Sequence, residues 1–434
     1  MNAAERSLAA SFAPAAREPA WLAEGRRAAL ARFEALGLPT PRHEDWRFTS
    51  LAALGQLELG RAPEGGVAAA LAARVPGAGG PRLVFVNGRY RSELSSRAGL
   101  PRGAVLCTLA EALRDAPETV RPHLGRLAPA ADHAFVAANA ALFEDGAFLS
   151  LPPNASLDAP VTLAFLTDAS RPQASHPRTL VVAGEGARAT LEEVFVGGDG
   201  APYLTNAVTE LVLGAGAEVE HVRLQAEGTS AFHVSVVHAD QGAGSRLAAH
   251  SFALGARLSR SEIRARLSGE EAKVAANGLY MAGGDQLVDN FSWVEHAVPR
   301  CTTTESYKGI LGGKARGVFS GRIRVLPGAQ KTVAHQMNSN LLLSDDAVVD
   351  TKPQLEIFAD DVKCGHGGTV GQLDETALFY LRSRGLGEVE ARSLLIWAFA
   401  SEMVGLVGAP ALRAGAKRLV TERLPAGAGL LEAA

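Results

Sequence analysis

The sequence predicts a mainly β protein, organised as a parallel β-helix with helical segments at its N-terminal and C-terminal ends. Between residues 147 and 370, short runs of β-forming residues follow one another, and Gly, Asn or Asp separates most of them. A faint echo recurs in this region, clearest between residues 186–192 and 216–222, at a spacing of about 28–30 residues that is typical of stacked repeats. A β-sandwich would also contain many short strands, but it would not predict the echo.

Three zones separate by pattern along the chain. Residues 1–146 predict an N-terminal helical and mixed region, residues 147–370 the β-helix core, and residues 371–434 a C-terminal helical region. In the first zone, apolar residues between Leu22 and Leu36 recur at helical spacing, and Gly37 predicts the end of that helix. We therefore expect one solenoid core with helices before and after it.

The C-terminal zone contains two predicted helices. Asp374 can cap the first helix, and Gly385 ends it. The second is amphipathic, and one of its sides carries Ala391, Leu395, Ala398, Phe399 and Met403. Because the open rungs of a solenoid would recruit other chains, we expect this zone to cover the end of the β-helix. The apolar side fits either docking on the solenoid or contact with a partner, and docking is the commoner use of such a stripe.

The composition excludes several classes of protein. A formal net charge of -3 leaves no basic field for a phosphate backbone, so nucleic acid is not an expected partner. The three scattered cysteines argue against a disulfide framework and for a reducing compartment. The first 20 residues carry charges that interrupt any secretory signal, and no apolar run is long enough to cross a membrane. We expect a cytoplasmic protein that does not associate with membranes.

One short passage, residues 362–371, points to metal chemistry. It places Cys364 and His366 two residues apart, so both side chains of an extended strand lie on the same face. A thiolate with an imidazole suits zinc, copper or iron–sulfur chemistry. Two ligands do not complete a site, and three thiols cannot supply a four-thiolate cluster, so further ligands would come most simply from a second chain. The ordinary alternative is a packed cysteine beside an unrelated histidine.

Four stretches of the sequence closely resemble the SufD type of the SufB/SufD family, the scaffold subunits of the Suf iron–sulfur cluster assembly machinery. They are residues 349–367, residues 369–385, residues 289–296 and residues 43–48, and the likeness is densest after about residue 285. The resemblance spans nearly the whole chain and is more specific than any single motif. It implies a right-handed β-helix flanked by helical segments.

The resemblance also implies partners and a site. A SufD-like chain pairs with a SufB-like paralogue, and a SufC-like ATPase docks on the region that corresponds here to residues 374–403. Sulfur reaches the complex from a cysteine desulfurase system, which is therefore an indirect partner. His366 falls on the position proposed to help form a nascent iron–sulfur cluster shared with the partner chain, and Cys364 lies beside it. A flavin bound by the whole complex is suggested for the family, and the residues leave that question open.

Two departures indicate the SufD role. SufB-like chains carry a cysteine where this sequence has Val349, and a glutamate where it has Gly367. The sequence also lacks a phosphate-binding loop, because the nearest string, residues 308–315, ends in Ala315 where Ser or Thr would hold magnesium. Any linked ATP hydrolysis therefore belongs to a partner.

Two other functions stay open from the residues alone. A carbohydrate-active β-helix enzyme would need acidic or basic side chains aligned on one solenoid face, and no obvious carboxylate ladder is present. A self-associating structural protein would be a homodimer without an ATPase subunit. Four histidines lie in the strand zone with spacings that do not converge on a ligand set, and we interpret them as ordinary hydrogen-bonded or exposed residues: His221, His233, His238 and His250.

Overall fold

The computed structural model describes residues 1–13, 18–63, 69–75 and 79–427. Helices occupy both ends of the described chain: α1 (Ala3–Ala10), α2 (Ala20–Leu36), α3 (Ala52–Gly55), α4 (Ala69–Ala72), α5 (Leu109–Asp115), α6 (Pro117–Val120), α7 (Ala134–Leu142), α8 (Glu375–Ser383), α9 (Glu388–Gly405) and α10 (Pro410–Thr421). Short 3₁₀ turns lie at Glu44–Trp46 and Ser92–Leu94. No helix within these described ranges is both long enough and apolar enough to cross a bilayer.

Strands fill the middle of the chain. They are β1 (Gly60–Arg61), β2 (Arg82–Val86), β3 (Arg89–Tyr90), β4 (Val105–Thr108), β5 (Gly146–Leu151), β6 (Val161–Thr167), β7 (Gln173–Ser175), β8 (Arg178–Ala183), β9 (Arg188–Gly197), β10 (Tyr203–Leu213), β11 (Glu218–Ala226), β12 (Ala231–Gln241), β13 (Arg246–Ala253), β14 (Leu258–Leu267), β15 (Lys273–Ala282), β16 (Leu287–His296), β17 (Thr302–Leu311), β18 (Arg316–Val325), β19 (Val333–Leu342), β20 (Val348–Ile357) and β21 (Lys363–Gly371).

The strands form a β-solenoid of about eight turns, which confirms the predicted fold class. One sheet runs in the order β20-β18-β16-β14-β12-β10-β8-β5, and the other runs β21-β19-β17-β15-β13-β11-β9-β6. Within each sheet these neighbours pair in parallel, so every turn contributes one strand to each sheet. The inner faces of both sheets enclose a continuous apolar core that runs along the solenoid. The sandwich alternative is therefore wrong.

The echo in the sequence marks one corner of this solenoid. Gly186, Gly216 and Gly244 occupy the corner in successive turns, with φ values of +63°, +66° and +66°. Their backbone amides donate along the stack, for example from Gly216 to the carbonyl of Ala243. Left-handed backbone favours glycine, which explains why the motif repeats. Later turns keep positive φ with other residue types, including Arg300 at +62°, so the repeat fades from the sequence while the corner persists.

The N-terminal segments pack on the outer face of the first sheet. Trp46 stacks on Phe135 of α7, and the guanidinium of Arg260 on β14 lies 4.0 Å above the Trp46 ring. Arg260 also forms ion pairs with Glu262 and Asp289, so one buried arginine joins the N-terminal segment to the solenoid. Strand β2 hydrogen-bonds into the second sheet beside β6. The division of the chain at residue 147 therefore remains a proposal based on pattern.

The C-terminal helices pack on the outer face of the second sheet. Ile396, Ala400 and Met403 of α9 lie in one cluster with residues of β9, β11 and β15, while Ala398 is exposed. The expected apolar side is therefore only partly correct: Ala391 and Met403 are buried, whereas the centre of the buried side lies at Ile396 and Ala400. The expectation that this zone covers the end of the solenoid is also wrong: α9 and α10 run beside the sheet, and most of β21 stays exposed. The last turn is open because the chain folds back along the sheet.

Candidate functional site at the open end of the solenoid

Both predicted ligands lie on β21, the last strand of the second sheet. Cys364 pairs in register with Ala334 on β19, and His366 pairs with Gln336. Ala334 and Gln336 are both buried in the solenoid interior, so the paired positions on β21 face the same interior from its open end. The prediction that Cys364 and His366 share one face of a strand is confirmed.

The two side chains have different surroundings. Cys364 is half-buried against an apolar cluster that includes Ile323 and Ala359. Burial raises the pKa of its thiol, and a hydrogen bond with the backbone of Ala334 only partly opposes that effect. His366 is exposed and makes no hydrogen bond or ion pair within the described chain. The open end of the last turn, formed by β20 and β21, is called the mouth below. The His366 imidazole is exposed there and can contact a ligand, whereas the Cys364 thiol packs as a small apolar group in the free chain.

Polar side chains form the floor beneath His366. Gln336 donates from Nε2 to Glu305 Oε2 at 2.5 Å, and the Ser292 hydroxyl donates to the same oxygen at 2.9 Å. Glu305 Oε1 and Gln336 Oε1 are buried and have no hydrogen-bond partner in the described part of the chain. Burial raises the pKa of Glu305 to about 7. Gly321 on the opposite sheet leaves the room that the Gln336 amide fills, since a Cβ there would collide with it.

The polar floor continues along β19. Asn338 and Asn340 follow Gln336 at alternate positions, and Asn340 Nδ2 donates to Asn338 Oδ1 at 2.8 Å. The Tyr280 hydroxyl, two turns deeper, donates to Asn340 Oδ1. These residues were missed in the sequence. Their alternation along one strand was a usable signal, but alternating polar residues usually mark the solvent face of a sheet.

A second polar cluster lies deeper in the solenoid. His221 contacts Glu193 at 2.8 Å, and His233 contacts Glu227 at 2.6 Å. Arg223 lies between these pairs, and burial lowers its pKa to about 10. The interpretation of these histidines as hydrogen-bonded residues is confirmed for both. Within the described ranges, no group of three or more His, Cys, Asp or Glu residues could hold a metal ion.

The other two histidines and the other two cysteines are separate from the mouth. Burial lowers the pKa of His238 to about 3 and that of His250 to about 4, which keeps both rings neutral. The buried Cys301 thiol donates to the carbonyl of Gly269 at 3.4 Å. Cys107 is half-buried, and burial raises its pKa to about 11. Both thiols are therefore protonated at neutral pH, and neither residue offers a thiolate for metal binding.

The last turn also presents unpaired backbone and apolar surface. Strands β20 and β21 each end a sheet, so each has one edge without a neighbouring strand in the described structure. Five large apolar side chains at this end are exposed: Met337, Val348, Ile357, Phe358 and Val370. Free strand edges bordered by apolar side chains form a template for another chain. Cys364 and His366 are two potential ligands, and within the described ranges no third His, Cys, Asp or Glu residue joins them in a metal-binding group.

Comparisons with known proteins agree with this geometry. Residues 165–399 match the family described as "SUF system FeS cluster assembly, SufBD core domain", and residues 14–163 match the "SufBD protein N-terminal region". The chain is 35% identical over 421 residues to an "Iron-sulfur cluster assembly SufBD family protein" of Synechocystis, covering 94% of this chain and 92% of that protein. It is 31% identical over 400 residues to the "Iron-sulfur cluster assembly protein SufD" of Escherichia coli, covering 90% of each.

Proposed function

The chain belongs to the SufBD family of iron–sulfur cluster assembly proteins, and on that premise we propose that it is a non-catalytic, SufD-like scaffold subunit. It pairs with a SufB-like paralogue, and the two chains build and transfer nascent iron–sulfur clusters. The observation that carries the proposal is the exposed imidazole of His366 on the inner face of an open last turn. The absence of a cysteine at Val349 and of a glutamate at Gly367 favours the SufD role within the pair.

The incomplete donor set supports a site shared between two chains. His366 supplies one nitrogen, and Cys364 becomes a second ligand only if iron displaces its proton and draws it from the apolar cluster. The cluster is cargo that must leave, so few ligands from each chain favour its release. Imidazole and thiolate donors both suit iron, and the missing ligands come from the partner.

The open edges of β20 and β21 support the pairing. A partner solenoid that adds its own last turn would satisfy the free backbone groups and bury the apolar side chains around the mouth. The same contact would bring the partner's ligands next to His366. Self-association through this edge is the competing outcome, and it would give a homodimer.

The C-terminal helices support docking of a SufC-like ATPase. Phe379 and Tyr380 on α8 are 73% and 55% exposed, and Val389 at the start of α9 is 54% exposed. The opposite side of α9 is buried against the solenoid. Exposed aromatic side chains are typical of a docking surface. Sulfur delivery by a cysteine desulfurase system, a flavin bound by the complex and a cytoplasmic location remain parts of this proposal.

The proposal is tested by co-expression with SufB-like and SufC-like partners. The complex is purified under anaerobic conditions, and cluster content is measured by absorption spectroscopy and by iron and sulfide analysis. We expect His366→Ala to leave the complex intact and to lower its cluster content several-fold. His335→Ala is the matched control, because His335 is an exposed histidine on β19, the strand next to β21, and faces outward. Normal cluster content in the His366→Ala complex would refute the assigned role.

A further inference from the structure

A cavity of about 570 Å³ lies in the N-terminal region, between α2, α7 and the segment from Arg121 to Ala131. Its volume is within the range of small-molecule sites in proteins. None of its lining residues belongs to the last turn, so the cavity is separate from the His366 mouth. Neither the family resemblance nor the proposed scaffold role explains it.

The cavity is strongly cationic. Five arginines and no carboxylate line it among the residues that the structure describes: Arg26, Arg32, Arg121, Arg126 and Arg178. The charges of two of these arginines are balanced by buried carboxylates: Arg26 forms an ion pair with Glu18 at 2.9 Å, and Arg178 forms one with Glu210 at 2.5 Å. These ion pairs hold the two side chains in place, and the positive charge of the cavity comes from Arg32, Arg121 and Arg126.

Two arginines are free to meet a ligand. The guanidinium groups of Arg121 and Arg126 are exposed and have no hydrogen-bond or ion-pair partner within the described ranges. Arg32 donates from Nε to the carbonyl of Ala131 and forms an ion pair with the exposed Asp132 at 3.6 Å. Guanidinium groups bind phosphate and carboxylate groups through paired, charge-assisted hydrogen bonds. One end of the cavity is therefore suited to an anion.

The remaining walls are apolar and leave room for a ligand body. Trp21, Leu124 and Phe143 line them, and the buried indole Nε1 of Trp21 has no hydrogen-bond partner in the described chain. Gly25 lies inside α2 and faces open space, since a Cβ there would meet no atom within 4 Å. Glycine inside a helix lowers its stability, and here it preserves the volume of the cavity.

From these features we propose that the cavity binds a small organic anion. The ligand has a planar or apolar body, which packs against Trp21 and Leu124, and a phosphate or carboxylate end, which pairs with Arg121 and Arg126. The Trp21 indole donates to a polar atom of the body. Binding at this site is independent of cluster assembly at the last turn, so the two proposals fail or succeed separately.

The test uses 1-anilinonaphthalene-8-sulfonate, an aromatic anion whose fluorescence rises in apolar sites, with the full-length chain. We expect saturable binding that weakens at least tenfold in the double variant Arg121→Gln/Arg126→Gln. The matched control is Arg102→Gln/Arg171→Gln, which removes the same charge at two exposed positions outside the cavity. It should bind as the original chain does.

A second variant tests the cavity by blocking its volume and leaves its charge unchanged. Gly25→Phe fills the cavity from a position with free space, so the chain should fold with an unchanged or higher thermal midpoint and lose the probe. Competition with adenosine monophosphate or with decanoate then identifies a phosphate or a carboxylate ligand, and displacement by either supports the proposal. Equal probe binding by the original chain, the double variant and Gly25→Phe would overturn it, as would the absence of saturable binding or of displacement by either competitor.

Discussion

The buried carboxyl of Glu305 should make the stability of the solenoid depend on pH. Its pKa is raised from 4.5 to about 7 by burial, and hydrogen bonds from Gln336 and Ser292 offset only part of that cost. The folded chain therefore holds a proton that the unfolded chain releases between pH 4.5 and about 7. The stabilising effect of the neutral carboxyl is fully present below pH 4.5 and is lost as the pH rises through about 7.

Replacing the carboxyl by an amide should remove this dependence. A difference of about 2.5 pKa units corresponds to about 3 kcal/mol of unfolding free energy. In Glu305→Gln, the new amide oxygen can still accept from Gln336 and Ser292. We therefore expect the variant to gain about 3 kcal/mol over the original chain between pH 5 and pH 8. For a chain of this length, that gain corresponds to a thermal midpoint about 3 °C higher at pH 8.

The assay is thermal unfolding of both proteins at pH 5 and pH 8. Comparison of the two proteins removes the contribution of Glu192, whose pKa burial also raises to about 7 and which both contain. Asp360→Asn is the control, because Asp360 is an exposed acid near the last turn and should change neither midpoint. If the midpoint difference between Glu305→Gln and the original chain is the same at pH 5 and pH 8, Glu305 is not a neutral buried acid and the reasoning fails.

Three further predictions concern the corner, the N-terminal contact and the C-terminal surface. Gly216→Ala should lower the unfolding free energy by about 1 kcal/mol in urea titration, because φ is +66° and the added Cβ meets no atom closer than 3.9 Å. Arg260→Ala should cost about 3–5 kcal/mol by the same measurement, since it leaves the buried Asp289 and Glu262 without their shared cation. Phe379→Ser should change stability by less than about 0.5 kcal/mol, because its ring is exposed, yet should reduce capture of the SufC-like ATPase in co-purification.

The repeat and the strand motif could be predicted from the sequence because each has a local physical cause. The corner at Gly186, Gly216 and Gly244 requires left-handed backbone, and because glycine adopts this conformation most easily, the corner is visible in the sequence as a repeated glycine. The strand that carries Cys364 and His366 follows from residue alternation alone. In both cases the local sequence is enough to predict the backbone conformation, without knowledge of distant contacts.

The rest of the site depends on contacts between distant parts of the chain. Gln336 and Glu305 face inward because the register places them beneath His366, and polar alternation by itself would put them toward solvent. The course of the C-terminal helices depends on an apolar outer face of the second sheet, which local periodicity does not reveal. The charge of the N-terminal cavity similarly arises from arginines on separate segments.

Hydrogen exchange at the last turn tests the central claim most directly. The amides of β20 and β21 are measured by mass spectrometry in the isolated chain and in the anaerobic complex with the SufB-like and SufC-like partners. Because both strands end their sheets, we predict fast exchange in the isolated chain and strong protection of residues 348–371 in the complex. Unchanged exchange of these residues in an intact, cluster-containing complex would show that the partner binds elsewhere, and it would contradict a shared site at His366.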